Sequence, residues 1–310
     1  MLTLLVLGAG GFWLFSTGVG PIPDPERCTA TVGGQSVTID LEQAENAAII
    51  AGVAVRRGLP ARAVSIALAT AYQESDIRNI DYGDRDSLGL FQQRPSQGWG
   101  TAEQVQDPHY AARVFYDALV QVENYRAMEV TDAAQEVQRS AFGTAYADHE
   151  ADARILASAL TGYSEAALSC VVRHDGAAEQ RIGASGLTPR AQAVLDDIRQ
   201  TFGDVPVGGF APGGVSTGHI EGSAHYEGRA VDVFFRPVND RNQRKGWALA
   251  HYLVARAELL QIQTVIYDDM IWTASRSEEG WREYDEPAGP NQPVLEHRDH
   301  VHVDVVDGST

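Results

Sequence analysis

Two distant stretches of the chain carry residue types that could hold a metal ion. The first contains Ser223, His225, Gly228, Ala230 and Asp232; the second is His300, Val301 and His302. Two imidazoles and a carboxylate suffice to bind zinc and leave a fourth tetrahedral position for water, whose pKa zinc lowers toward neutrality. Gly228 allows a tight turn between His225 and Asp232. The apolar run 230–235 reads as a strand, so Asp232 is expected to point in from it, with His225 in the preceding loop. His300 and His302 alternate by two and share one face of a strand, and His297 lies near that strand's start. The bland alternative is a stack of partly buried histidines satisfied by backbone carbonyls. His219 precedes the motif and reads as a neighbour of the site or a solvated loop residue.

A third stretch, Glu74 and Ser75 followed by Gly89, Leu90, Phe91 and Gln92, points to sugar chemistry. Glu74 ends an apolar helical run that starts at Ala61. A carboxyl against a core is partly desolvated, which raises its pKa and lets it protonate a glycosidic oxygen near neutral pH. The amides after Gln92, together with Trp99, suit a carbohydrate cleft. A second carboxylate would permit the paired hydrolytic mechanism. Asp84 and Asp86 are the candidates, and the sequence does not position them.

The Glu74, Ser75, Gly89, Leu90, Phe91, Gln92 pattern resembles the lysozyme-like lytic transglycosylases. The resemblance implies that Glu74 acts as acid and then base, and that Ser75, Gln92 and a later tyrosine, Tyr163, line the sugar cleft. The later Tyr-Asn-x-Gly element of that family is represented here only by the stretches Gly162–Glu165 and Val137–Ser140. The C-terminal pattern resembles the zinc peptidases of the D-alanyl-D-alanine carboxypeptidase, peptidoglycan endopeptidase and hedgehog type, in an actinobacterial-type extracellular form. It implies Zn2+ on His225, Asp232 and His302, with His300 and His297 as active-site histidines. Neither Glu296 nor Asp299 is assigned by the motif as an acid/base carboxylate.

These residues need two kinds of scaffold. Residues 40–170 read as a nearly all-helical, lysozyme-like unit, with Asp40 as a helix N-cap and helices expected over 110–121, 132–140 and 150–168. Residues 171–186 are polar and Gly-rich and read as a linker. Thr188 and Pro189 open a helix expected to stop at Gly203. A helix over 245–260 and strands over 264–268 and 300–306 complete an α+β unit, 187–310, with a mainly antiparallel sheet. The expectation is a multidomain protein.

Residues 1–20 are apolar and carry no charge, enough to span a bilayer as a transmembrane or signal-anchor segment. Residues 21–39, with three prolines at the start, read as a linker that is β-like from residue 31. The only cysteines, Cys28 and Cys170, are a candidate disulfide in an exported chain. A net charge of −18, from 24 basic and 42 acidic residues, argues against a nucleic-acid partner.

Taken together, the expected protein is extracytoplasmic, membrane-anchored or secreted, and remodels peptidoglycan. One unit would cut the glycan strand and the other a wall peptide amide. Two rivals stand beside it: a wall-binding module in which neither cleft cuts, and an enzyme with one active unit. Hydrolytic versus anhydro-forming glycan cleavage, and the identity of the peptide bond, are open at this level.

Overall fold

The computed structural model describes residues 25–138, 145–174, 176–285 and 292–308, so the apolar segment 1–20 lies outside the described residues. No helix among the described residues is long and apolar enough to cross a membrane. The architecture is α+β, with two antiparallel sheets and the helices packed between and beside them.

The described chain opens with β1 (Arg27–Val32) and β2 (Gln35–Ile39), paired antiparallel. Part of the stretch read as linker is therefore a hairpin. Its third strand is β3 (Leu168–Val171), which pairs with β1 so that Cys28 faces Cys170. The two cysteines are disulfide-bonded. Pairing of β1 with a strand 142 positions away completes this sheet, and no local pattern encodes that pairing.

Helix α1 (Leu41–Arg56) starts at Asp40, whose side chain accepts from the Gln43 backbone while Gln43 returns a bond to Asp40, a reciprocal cap. Helix α2 (Ala61–Ser75) follows, then α3 (Ala102–Val105), α4 (Pro108–Leu119), α5 (Val130–Gln138) and α6 (Glu150–Leu160). The expected helix over 150–168 ends early. Gly162 adopts φ +73°, and a Cβ there would lie 1.9 Å from the Arg244 carbonyl, so the chain must turn at this residue.

Helix α7 (Pro189–Phe202) has the expected Thr188 cap and stops at Gly203. The larger sheet follows, with β4 (Val207–Gly208), β5 (Ala230–Phe234), β6 (Ile262–Tyr267), β7 (Met270–Thr273), β8 (Arg282–Glu283) and β9 (His300–Val305). Their spatial order is β4-β5-β9-β6-β7-β8, and every pairing is antiparallel. Helix α8 (Asp240–Ala255), capped by Asn239, begins earlier than the periodicity suggested and packs on the sheet. Helix α9 is the single turn Gln292–Leu295.

One apolar core runs through both halves. It includes Ile50, Leu68 and Phe115 on the helical side and Trp247, Trp272 and Val303 on the sheet side. Helices α1 and α8 pack directly together. Polar contacts cross the same boundary: buried His251 of α8 donates from Nδ1 to the Ala159 carbonyl (2.7 Å) and accepts at Nε2 from the Ala167 amide (3.1 Å). Arg256 Nη1, at the end of α8, lies 3.9 Å from Glu45 of α1.

Candidate metal centre and a buried carboxyl

Antiparallel pairing of β5 with β9 sets Asp232 opposite His302 and Phe234 opposite His300. The alternation expected of the last strand therefore puts both histidines on the face that carries Asp232. His225 arrives from the short 3-10 turn Ala224–Glu227 just before β5, where the Ser223 side chain accepts from the His225 amide. All three side chains are nearly inaccessible: His225 is 2%, Asp232 6% and His302 8% exposed.

Their polar atoms converge. His225 Nε2 lies 3.1 Å from His302 Nδ1 and 3.2 Å from Asp232 Oδ1, and His302 Nδ1 lies 3.1 Å from the same oxygen. Donors about 2.0 Å from one small tetrahedral ion stand roughly 3.3 Å apart, so the triangle has the right size. The outer nitrogens are also committed. His225 Nδ1 donates to the Gly209 carbonyl at 2.8 Å, and His302 Nε2 lies 3.2 Å from the Asp304 carboxylate. With a cation in the triangle, such partners would hold the tautomers in which Nε2 of His225 and Nδ1 of His302 turn their lone pairs inward. Gly209 is needed for this approach. It has φ +81°, and a Cβ would sit 2.3 Å from the His225 ring.

Burial pushes the Asp232 carboxyl up, but hydrogen bonds from His225 and His302 overcome it and hold the group below the usual carboxylate range. Burial works against a charged His302, yet Asp232 and Asp304 raise it to about 9. His297 is pushed down to about 3 by burial and by neighbouring His300 and His302.

The other histidines surround this triangle. His300 binds Asp299 through Nδ1 (2.7 Å) and brings Nε2 to 3.9 Å from Asp232 Oδ1. His297 donates from Nδ1 to the Leu295 carbonyl (3.0 Å), and its ring centroid lies 4.6 Å from that of His300. His219, read from sequence as a neighbour of the site or a solvated loop residue, stacks on His225 with ring centroids 3.9 Å apart. His219, His225 and Asp232 offer ligand atoms all within 4.8 Å of one another. The loop that carries His219 has no periodicity to read, and only the fold of residues 209–223 brings it here. All six residues line one cleft of about 990 Å³.

The sugar-chemistry residues are partly gathered. Glu74 is half-buried at the C-terminal end of α2, and burial raises its carboxyl pKa against hydrogen bonds from Tyr146 and Gln138. The Tyr146 hydroxyl donates to Oε1 at 2.8 Å. Ser75 is buried, with its hydroxyl 2.8 Å from the Leu90 carbonyl, so it clamps the 89–92 turn to the helix and does not face a cleft. Gln92 donates to the Tyr82 carbonyl at 3.2 Å, bridging that turn to the acidic one.

Tyr163 is not with them. It is exposed beyond the C-terminal end of α6, under the Arg244 guanidinium, whereas Tyr146 and His149 adjoin the N-terminal end of that helix. The helix is about 16 Å long, which separates Tyr163 from Glu74. Tyr146 is the tyrosine that meets Glu74, and no motif marks it. Asp86 is bound by Arg94 and Ser96, and Asp84 is 90% exposed beside Arg85. Gln138 instead joins Glu74 to a groove of about 1010 Å³ that Trp99, Gln97 and Glu136 also line.

Among known proteins, a family model described as VldE, C-terminal domain, matches residues 183–295. The match covers well under half of the chain. It contains His225 and Asp232 and ends before His297, His300 and His302. No curated protein matches the chain significantly.

Proposed function

We propose that this protein is a bifunctional peptidoglycan hydrolase of the extracytoplasmic space. In this reading a zinc-dependent peptidase site lies on the larger sheet and a glycan-cleaving site at Glu74. The observation that carries it is the 3.1–3.2 Å triangle of His225 Nε2, Asp232 Oδ1 and His302 Nδ1. A bonded partner stands behind each histidine. A donor set of two imidazoles and one carboxylate suits zinc.

His225, Asp232 and His302 would hold the ion, and Gly209 and Asp304 would keep the two rings aimed. Zinc, when bound, polarises the scissile carbonyl and activates water. His300, with Nδ1 on Asp299, presents Nε2 toward the centre and is suited to pass a proton to the departing amine. His297, packed against His300, shields the site and leaves Nε2 as an acceptor toward the cleft.

At the other site Glu74, its pKa raised by burial, would donate a proton to the oxygen between N-acetylmuramic acid and N-acetylglucosamine, then act as base. Neither Asp84 nor Asp86 bonds to it, which favours a mechanism with one carboxyl. The partners are then glycan strands and stem peptides, with the apolar N-terminal segment as a membrane tether.

Product analysis on purified sacculi tests the proposal. The wild type should release glycan fragments and new amino groups. Glu74→Gln should lose the first alone and His302→Ala the second alone. Release of neither product by the wild type would leave a wall-binding protein as the better account.

A further inference from the structure

We propose that Asn46 and Gln43 of helix α1 are positioning residues for Glu74. They hold a strained turn directly after it and so fix the last turn of α2, from which its carboxyl projects. This rests on the glycan-cleaving reading of Glu74 and names what keeps that group in place.

Helix α2 ends one residue after Glu74, and the chain leaves it through two left-handed residues in a row. Asp76 and Ile77 both have φ +55°. A single left-handed residue is the common ending of a helix. Asp tolerates that region, whereas a β-branched residue in it is an outlier. Glycine would take either position without strain, and neither position carries it. Gln92, in the 89–92 turn that Ser75 clamps to the helix, has φ +45°. Three strained non-glycine residues therefore gather around one carboxyl. Such strain persists only where the surroundings over-determine it, and it collects at functional sites.

Helix α1 supplies the constraint. Asn46 Nδ2 donates to the Ile77 carbonyl and Gln43 Nε2 to the Asp76 carbonyl, both at 2.9 Å. Asn46 and Gln43 are buried, and at a spacing of three they share one helix face. Each donor grips the carbonyl of one left-handed residue, away from competing water. Arg78, the next residue, pairs with Glu42 at 2.8 Å and with Asp40 at the start of the same helix. The Ile77 side chain is fully buried. This grip keeps the end of α2 wound: the Asp76 amide donates to the Tyr72 carbonyl at 2.8 Å and the Ile77 amide to the Ala71 carbonyl at 3.0 Å. Glu74 lies inside the loops that these two bonds close, and its carboxyl meets Tyr146 and Gln138. Without the two side-chain donors the turn would relax, the closing bonds would open, and the carboxyl would lose its register with Tyr146.

Asn46→Ala in the full chain tests this. It is read by carbon-13 NMR titration of the Glu74 carboxyl, assigned against Glu74→Gln, and by turnover of soluble glycan oligomers from peptidoglycan. Loss of the Tyr146 bond removes a group that favours the ionised form, so the Glu74 midpoint should move to higher pH. Misplacing a reacting group by about 1 Å costs on the order of 100-fold, so kcat should fall about ten- to a hundredfold with KM within about twofold. Asp76→Gly, added to Asn46→Ala, removes the strain at one of the two residues. That side chain is 63% exposed, so no core packing is lost, and part of both effects should be restored. A fold that is merely less stable moves neither the titration nor the split between kcat and KM while it stays folded. Gln43→Met, of similar length and without a donor, carries the same test should Asn46→Ala fail to fold. An unmoved Glu74 titration in a folded variant, or a rate loss that Asp76→Gly does not reduce, overturns the proposal. A wild type that cleaves no glycan, with a Glu74 titration that shifts and is restored as described, keeps the positioning role and overturns the glycan reading.

Discussion

The hydroxyl of Tyr146 donates to Glu74 Oε1 at 2.8 Å, and it stabilises the ionised form of a carboxyl that burial otherwise drives toward protonation. The two effects oppose each other at one atom. Tyr146→Phe removes only the stabilising bond, so the Glu74 pKa should rise further. If protonated Glu74 is the acid in glycan cleavage, the alkaline limb of the pH–rate profile on sacculi should move to higher pH. An unmoved limb in a folded Tyr146→Phe variant would show that this bond does not tune the reaction.

Metal affinity should depend on residues behind the donor triangle. Asp304→Asn weakens the partner of His302 Nε2. Loss of such a partner commonly lowers affinity about 10- to 100-fold, and competition with a fluorescent zinc chelator would measure it. His302→Ala should cost more, since it deletes a donor. His219→Ala reports whether the stacked ring contributes: a drop in affinity would add it to the ligand set, and wild-type affinity would leave it as packing.

His251 links stability to acid. Full burial pushes its pKa down to about 4, against about 6.5 in an unfolded chain. The folded state therefore favours the neutral ring. This contribution is complete above pH 6.5 and is lost as pH falls from 6.5 toward 4. The full difference is on the order of 3 kcal/mol. Urea melts at pH 7.5 and pH 5 should show a smaller loss for His251→Gln than for the wild type, after the constant cost of the substitution is subtracted. Equal losses would mean that the ring does not control this part of the curve.

The Cys28–Cys170 bridge ties β1 to β3 across 142 positions. Its removal by double substitution to serine should lower unfolding free energy by about 2–5 kcal/mol. Thermal and chemical denaturation of the two forms, with and without reductant, would check this. A reductant effect in the serine form would point to some other cause.

The convergence of His225, Asp232 and His302 was largely legible in the sequence. A two-residue alternation aims His300 and His302 alike, and a loop entering a strand separates His225 from Asp232 in a readable way; both are local rules of the backbone. Helix starts at Asp40 and Thr188 were equally local, because a cap satisfies amide groups within three residues of itself. What the chain alone left open is everything that depends on distant partners. The pairing of β1 with β3 brings Cys170 beside Cys28 from far along the chain. Tyr146, not Tyr163, reaches Glu74 because of how α6 lies against α2. The stacking of His219 on His225 exists only once the loop before β5 folds onto the sheet. Short-range hydrogen bonding and periodicity are written in neighbouring residues, whereas side-chain convergence across tens or hundreds of positions is decided by the packing of a shared core.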